Sequence, residues 1–339
     1  MGAFGRNHAR VYHELEKQGE PVRLVGAVDS DLSRADAVAR EFGCRGFGSI
    51  DQLLSTHSEV QAASVAVPTG HHREVAQLLM EAGIDVLIEK PVAISLREAD
   101  ELIAKSKGRI AQVGHLERFN PAVRATVPLV TTPMFFEVHR LSVFTSRSLD
   151  VDVVLDLMIH DLDVVLSFVN SPVREIRAVG LPILSGKVDI ANVRIEFGSG
   201  CVANFTASRV STERVRKLRF FQPQQYVSLD YARQDVLVFG LDPEGPDSKG
   251  NDRKGNDRKG NDLGTPSANP RINVVKPPIV AEEPLHAELK SFLQCVRTRS
   301  EPLVSLEAGR RALGVALDIV SAINEHSKHA NLSHLEHVR

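Results

Sequence analysis

Residues 2–29 read GAFGRNHARVYHELEKQGEPVRLVGAVD, and the fold is decided by how this stretch is read. Gly2 and Gly5 open a helical pattern with Val11, Tyr12 and Leu15 on one side. Gly-x-x-Gly at a helix start is what remains of G-x-G-x-x-G when the first glycine is absent. Across Gly2, Ala3, Phe4 and Gly5 the backbone can approach a pyrophosphate, and a helix N-terminus stabilises its charge. Taken alone, the same residues also suit a flexible chain end. Val22–Val28 reads as a buried strand, and Asp29 follows it, 24 residues after Gly5. That offset suits a carboxylate binding the adenosine ribose hydroxyls of a dinucleotide. A carboxylate there repels a 2′-phosphate, which points to NAD, while Ser30 and Arg34 nearby keep NADP open. A turn or helix cap is the lesser alternative for Asp29.

Further along, short apolar runs alternate with helical patterns. Ser33 to Phe42 has helical composition with Gly43 as C-cap, and Ala63–Val67 is a strand stopped by Pro68. His72–Glu81 reads as a helix, Ile84–Ile88 as a strand, and Leu96, Ala99, Leu102 and Ile103 as a helix that Ser95 can cap. Arg109–Val113 is a further strand. Such alternation implies βαβ units and a parallel sheet with helices on both faces. The texture changes after about Pro133. Phe135–Val143, Val173–Val179, Val188–Phe197, Cys201–Ser208, Val215–Phe221 and Val236–Phe239 are strand-like, and several alternate as antiparallel strands with one buried face do. Helices are expected over Val151–Val169, Pro284–Arg297 and Ser305–His326. The second half is therefore α+β.

The remaining composition narrows the function classes. The chain has 339 residues, enough for two domains, with 42% hydrophobic and 25% charged residues. A net charge of −2 argues against nucleic-acid binding as a main task. Cys44, Cys201 and Cys295 are widely spaced and support neither a disulfide framework nor a zinc ribbon. No apolar run is long enough for a membrane helix, and MGAFGRNHAR lacks a signal-peptide core, so a cytoplasmic protein is expected. Residues 249–262, KGNDRKGNDRKGND, repeat GNDRK and hold no apolar residue, so 248–268 is expected to be a disordered insertion. A metal reading of Asp252, Asp257 and Asp262 lacks any rigid geometry to hold ligands.

Several polar residues sit where ligands bind in open α/β sheets, at the carboxyl ends of strands. Pro68, Thr69, His71 and His72 follow one strand, and Glu89 and Lys90 follow the next. A lysine at that edge can hold a substrate hydroxyl and stabilise developing alkoxide charge, although an isolated lysine is more often paired at the surface. In the 151–169 helix, Asp156, His160 and Asp163 share a face apart from the apolar stripe Val154, Leu155, Met158, Leu162, Leu166. The i, i+4 spacing lets Asp156 and His160 address one ligand, and histidine suits proton transfer from a hydroxyl. A solvated polar face has the same pattern. No third ligand at suitable spacing supports zinc, so no metal is expected.

GAFGRNHA at 2–9, VAVPTGHH at 65–72, IEKPVA at 88–93, GHLERFNPAV at 114–123, DLMIHDLD at 156–163 and PLVSLEAGRRALGVALDI at 302–319 together resemble the Gfo/Idh/MocA family of nicotinamide-dependent oxidoreductases. The resemblance implies an NAD(P)-binding Rossmann domain at 1–120. It implies a substrate-binding and oligomerisation domain at 121–339, with a large open, mainly antiparallel sheet that makes a homodimer or homotetramer. It implies that Lys90 contacts the reacting hydroxyl and the nicotinamide side. His160 would be the base in oxidation, Asp156 would hold substrate or orient His160, and Arg118, Phe119 and Asn120 would lie in a substrate-contact loop. GHLERFNPAV, DLMIHDLD and TASRVSTERVRKLRFF resemble the branch acting on nucleotide sugars, which oxidises the 3-hydroxyl of a UDP-N-acetylglucosamine-like sugar on the way to diamino-sugar lipid A. An inositol or simple-sugar dehydrogenase, or a cofactor-binding regulatory protein without catalysis, are the alternatives. Family members begin with an apolar strand running into the first glycine. Here Met1 stands where that strand should already have ended, so the Rossmann domain is expected to lack its first, central strand. A misassigned start with a V-x-V-I-G-like strand encoded upstream is the expectation that follows.

Overall fold

The structure is a computed structural model that describes residues 1–145, 151–241 and 272–329. The expected insertion at 248–268 lies outside the described residues.

In the first half, α1 (Ala3–Lys17) buries Gly5, His8, Ala9, Val11 and Leu15 along one face. It is followed by β1 (Gly26–Val28), α2 (Leu32–Phe42), β2 (Arg45–Phe47), α3 (Ile50–Thr56), β3 (Ala62–Val65), α4 (His72–Glu81), β4 (Asp85–Glu89), α5 (Leu96–Lys105) and β5 (Ala111–Gly114). The helix ends follow local chemistry. Asp31 caps α2 and Ser95 caps α5 through side-chain oxygens, and Gly43 ends α2 at φ 71°, a conformation that glycine adopts without strain. All strand pairings here are parallel. The sheet is divided, however, into β1–β2 and β3–β4–β5, and among the described residues no strand joins β1 to β3. β1 is shorter than the apolar run Val22–Val28 because its pairing extends only as far as three-residue β2. Every residue of β4 is buried, as expected for a strand covered on both faces.

The second half opens with α6 (Pro121–Thr126) and β6 (Phe135–Leu141). A π-helical turn at Val154–Met158 then leads into α7 (Ile159–Phe168). Strands β7 (Val173–Leu181), β8 (Ile190–Phe197), β9 (Val202–Ser208), β10 (Val215–Gln222), β11 (Gln225–Asp230), β12 (Asp235–Leu241) and β13 (Ile272–Val275) follow, and α8 (Pro284–Thr298) and α9 (Leu306–His329) complete the order. One eight-stranded sheet runs β13-β12-β11-β10-β6-β9-β8-β7. It is antiparallel except for the parallel pair β6–β9. Phe136, Val138, Val193, Ile195, Phe205, Leu218 and Phe220 fill its inner face against α7 and α9. Burying each such phenylalanine contributes about 1.5–3 kcal/mol.

The chain does not leave its first half behind at residue 120. Leu289 and Phe292 of α8 pack with Val11 and Leu15 of α1. Leu306 and Leu313 of α9 join the core around β4 and β5, while Ala312, Ala316 and Ile319 of the same helix join the core of the large sheet. A Cβ on Gly309 would lie 2.7 Å from Val113 Cγ2, so glycine is what lets α9 sit against β5. Among the described residues no helix is long and apolar enough to cross a membrane.

Candidate active site

Strands β4 and β5 are neighbours in register and end at one edge. Glu89 closes β4, Lys90 follows, and the Lys90–Pro91 peptide is cis. A Cβ on Gly114, the last residue of β5, would come within 3.2 Å of Glu89 Cα, tighter than an ordinary contact, so glycine eases the close approach of the two strand ends. Glu89 is buried, and its carboxylate accepts a hydrogen bond from His8 Nε2 at 2.8 Å, which ties α1 to this edge. Neighbouring His8 and Lys90 hold its carboxyl below the usual range against the upward push of burial.

Lys90 points across to the second half. Its Nζ donates to the carbonyl oxygen of Asp156 at 2.7 Å and lies 3.6 Å from Asp156 Oδ1. Burial lowers the Lys90 pKa, opposed by Asp156 and Glu89. The expectation of one regular helix over 151–169 is corrected here. Asp156 stands in the π turn, a rare form frequent at functional sites, and there it meets Lys90 through both its carbonyl and its carboxylate. It makes no hydrogen bond to His160, whose Nδ1 is buried without a hydrogen-bond partner among the described residues. His160, in the first turn of α7, is held well below the ordinary histidine value, first by burial and then by the charges of Lys90 and Arg140.

His115 directly follows β5 and packs edge to face on His160, with ring centroids 6.3 Å apart. It is buried, and neither ring nitrogen has a partner among the described residues. Burial lowers its pKa too, and Lys90 adds to the effect. The site thus gathers one buried ammonium and two imidazoles held toward their neutral forms.

Carboxylates and arginines fix this cluster from below. Arg140 of β6 donates to Asp161 at 2.6 Å and to Glu117 at 3.1 Å, and lies 5.2 Å from the centre of the Tyr231 ring. Asp161 follows His160 directly, so this pair anchors the start of α7 to the sheet. Arg118 lies 3.6 Å from Asp163 and is one-sixth exposed. Its neighbours behave otherwise. Phe119 is packed in the core. Asn120 caps α6 through Ala122 N–H and donates to Glu117 and to the Tyr231 carbonyl.

On the dinucleotide side, α1 begins with Gly2 in extended conformation, with no side-chain cap and no acid in its first turn. A Cβ on Gly2 would meet no atom within 4 Å. Ala3 and Phe4 follow in the first turn, where backbone N–H groups have no intrahelical partner, with Gly5 behind them. Asp29 stands at the end of β1, where the Met1 amino group contacts its carboxylate and Asp31 N–H donates to Oδ1 at 2.9 Å. Open N–H groups with a carboxylate at the same strand end fit the pyrophosphate and ribose of a dinucleotide. Ser30 and Arg34 are exposed, and Arg34 faces Asp31 at 3.3 Å. Pro68 and Thr69 form the turn after β3. His72 has an internal place instead: its two ring nitrogens lie 2.9 Å from the carbonyls of Val67 and Pro91, bracing this turn against the Lys90–Pro91 segment.

Sequence reasoning passed over His115, although the signal that marked Lys90, a polar residue just past a strand end, marks it as well. The Arg140–Glu117–Asp161 network leaves no spacing signature, because its members come from three distant segments.

Comparison with known proteins identifies the family. Residues 1–115 match the oxidoreductase family, NAD-binding Rossmann fold, of the Gfo/Idh/MocA group, and residues 124–223 match its C-terminal domain. The chain is 33% identical over 326 residues, 95% of each sequence, to UDP-N-acetylglucosamine 3-dehydrogenase of Acidithiobacillus ferrooxidans. A solved structure of that enzyme superposes with a TM-score of 0.80 at 32% identity, covering 95% of both chains. This chain is also 27% identical over 230 residues, 62% of its length and 66% of the relative, to scyllo-inositol 2-dehydrogenase (NAD(+)) of Bacillus subtilis (strain 168). The chain is a member of the Gfo/Idh/MocA family, an oxidoreductase family with an NAD-binding Rossmann fold.

Proposed function

We propose that the protein oxidises the 3-hydroxyl of a UDP-N-acetylglucosamine-like nucleotide sugar. The observation that carries this reading is the convergence of Lys90, Asp156 and His160 at one strand edge. The similarity to the Acidithiobacillus dehydrogenase over 95% of both chains supports the substrate class. Gly2, Ala3, Phe4, Gly5, Asp29, Pro68 and Thr69 would hold NAD, which would supply the hydride acceptor for the carbinol carbon. Asp156 holds the Lys90 ammonium in place. Lys90 donates a hydrogen bond to the reacting oxygen and stabilises it as its proton leaves. Half-buried His160, held toward its neutral form by desolvation and by the charges of Lys90 and Arg140, takes that proton at Nε2, since Nδ1 is buried. Arg118 lines the sugar side, with Phe119 and Asn120 shaping the loop from within. The 3-keto product suits an aminotransferase and a diamino-sugar lipid A route in the cytoplasm. The outer face of the large sheet, with stacked rings of Phe221, Tyr226 and Phe239, makes a homodimer or homotetramer.

The test is reduction of NAD with a panel of UDP-sugars, free sugars and inositols. UDP-N-acetylglucosamine should be the preferred substrate, and His160→Ala should lower turnover by roughly 10²–10⁴ without loss of NAD binding. Preference for an inositol would favour the second reading, which the similarity to the Bacillus inositol dehydrogenase supports. No turnover of any member would leave a cofactor-binding protein without catalysis.

A further inference from the structure

Strands β6 and β10 place Arg216 directly opposite Arg140. Directly paired residues share a face of the sheet, so Arg216 lies on the inner face with Leu218 and Phe220. Those two are fully buried, whereas Arg216 ends the row half-buried. Arg140, its neighbour, reaches Asp161, the residue after His160. The row therefore runs out of the hydrophobic core and ends at the active site.

Three arginines surround this corner, and they differ in their partners. Arg140 is engaged by Glu117 and Asp161, and Arg118 by Asp163. The Arg216 guanidinium has no hydrogen bond and no carboxylate within ion-pair distance among the described residues, although its backbone carbonyl accepts from Tyr231 N–H. A half-buried guanidinium beside a second arginine is costly without an anion, because it loses hydration and meets like charge. Burial and Arg140 together lower its pKa, and its charge is felt at His160. The hydroxyls of a neutral polyol do not compensate such a charge, whereas a phosphate or carboxylate binds it bidentately.

We infer that Arg216 binds an anionic group of the substrate and selects for substrates that carry one. This rests on the nucleotide-sugar reading above, in which the anion is the diphosphate. The carboxylate of an acidic sugar is the other source of the same chemistry.

The experiment compares wild type, Arg216→Gln, Arg216→Lys and Lys217→Gln, the last lying on the opposite face of β10. KM and kcat are measured with UDP-N-acetylglucosamine, N-acetylglucosamine and a hexuronic acid, and UDP binding by calorimetry. Arg216→Gln should raise KM for UDP-N-acetylglucosamine and the Kd of UDP by about 10–100-fold, with kcat and NAD binding little changed. Arg216→Lys should restore part of the loss, and Lys217→Gln should change neither. Unchanged KM and UDP affinity in Arg216→Gln overturn the inference and leave the nucleotide-sugar reading standing. Wild-type turnover of neutral polyols alone overturns both. A KM effect confined to the hexuronic acid overturns the diphosphate assignment. Should Arg216→Gln fail to fold, Arg216→Lys decides, because losing the bidentate fork should still raise KM several-fold, and no rise overturns the inference.

Discussion

His160 and His115 are both imidazoles kept toward neutrality by burial, with the charge of Lys90 acting in the same direction on each. A base must be unprotonated to accept a proton, so a lowered pKa extends its working range toward acid. The acid limb of kcat/KM for oxidation should therefore fall below the ordinary histidine value of about 6.5. Replacing Lys90 by Met removes a nearby positive charge and should move the His160 titration upward, measured by NMR on the folded variant. A limb at or above the ordinary value, or a downward shift in Lys90→Met, would contradict this electrostatic account. The residue types of this site were visible in the chain, and so was their position at strand ends. The partner of Asp156 was not. Helical spacing paired it with His160, while the π turn pairs it with Lys90, which lies 66 residues away.

At the scale of elements, α8 carries the clearest conflict. Glu288 is fully buried, and neither carboxylate oxygen has a partner among the described residues. Burial first, and then the charges of Glu89 and Asp163, push its pKa well above the usual carboxylate range. The folded state thus holds a proton that the unfolded chain releases near pH 4.3. Its contribution to stability is complete below that pH and declines as pH rises toward the folded pKa. Urea denaturation of Glu288→Gln, which keeps the shape without the titration, should show a smaller loss of stability between pH 5 and 8 than wild type does. An identical pH dependence in both proteins would remove Glu288 from the explanation. Nothing in the sequence of α8 marks this residue, since a glutamate in an amphipathic helix reads as solvated. It is buried because α8 returns to pack on α1 and on the loop after β5.

For the molecule as a whole, α9 holds the two halves together by entering both hydrophobic cores, while the outer face of the large sheet carries half-buried aromatic rings stacked across β10, β11 and β12. If that face forms the oligomer, Tyr226→Glu should dissociate it, and sedimentation should report monomers, because a carboxylate there would be buried unpaired. Unchanged mass would place the interface elsewhere. The sequence by itself determined the fold class. Alternating strand and helix patterns, the caps at Ser95 and Gly43, and the period-two burial of Val193, Ile195 and Phe197 are local properties, written in propensity and periodicity. It also marked Asp29, Lys90 and His160, because strand ends are legible and ligands bind there. The tertiary structure decided which groups share charge. It divided the parallel sheet into β1–β2 and β3–β4–β5, turned His72 inward as a brace, paired Arg140 with Glu117 and Asp161, and left Arg216 unpaired at the edge of the site. The reason is physical: hydrogen bonding along a helix is set by neighbours in sequence, whereas burial and ion pairing are set by neighbours in space.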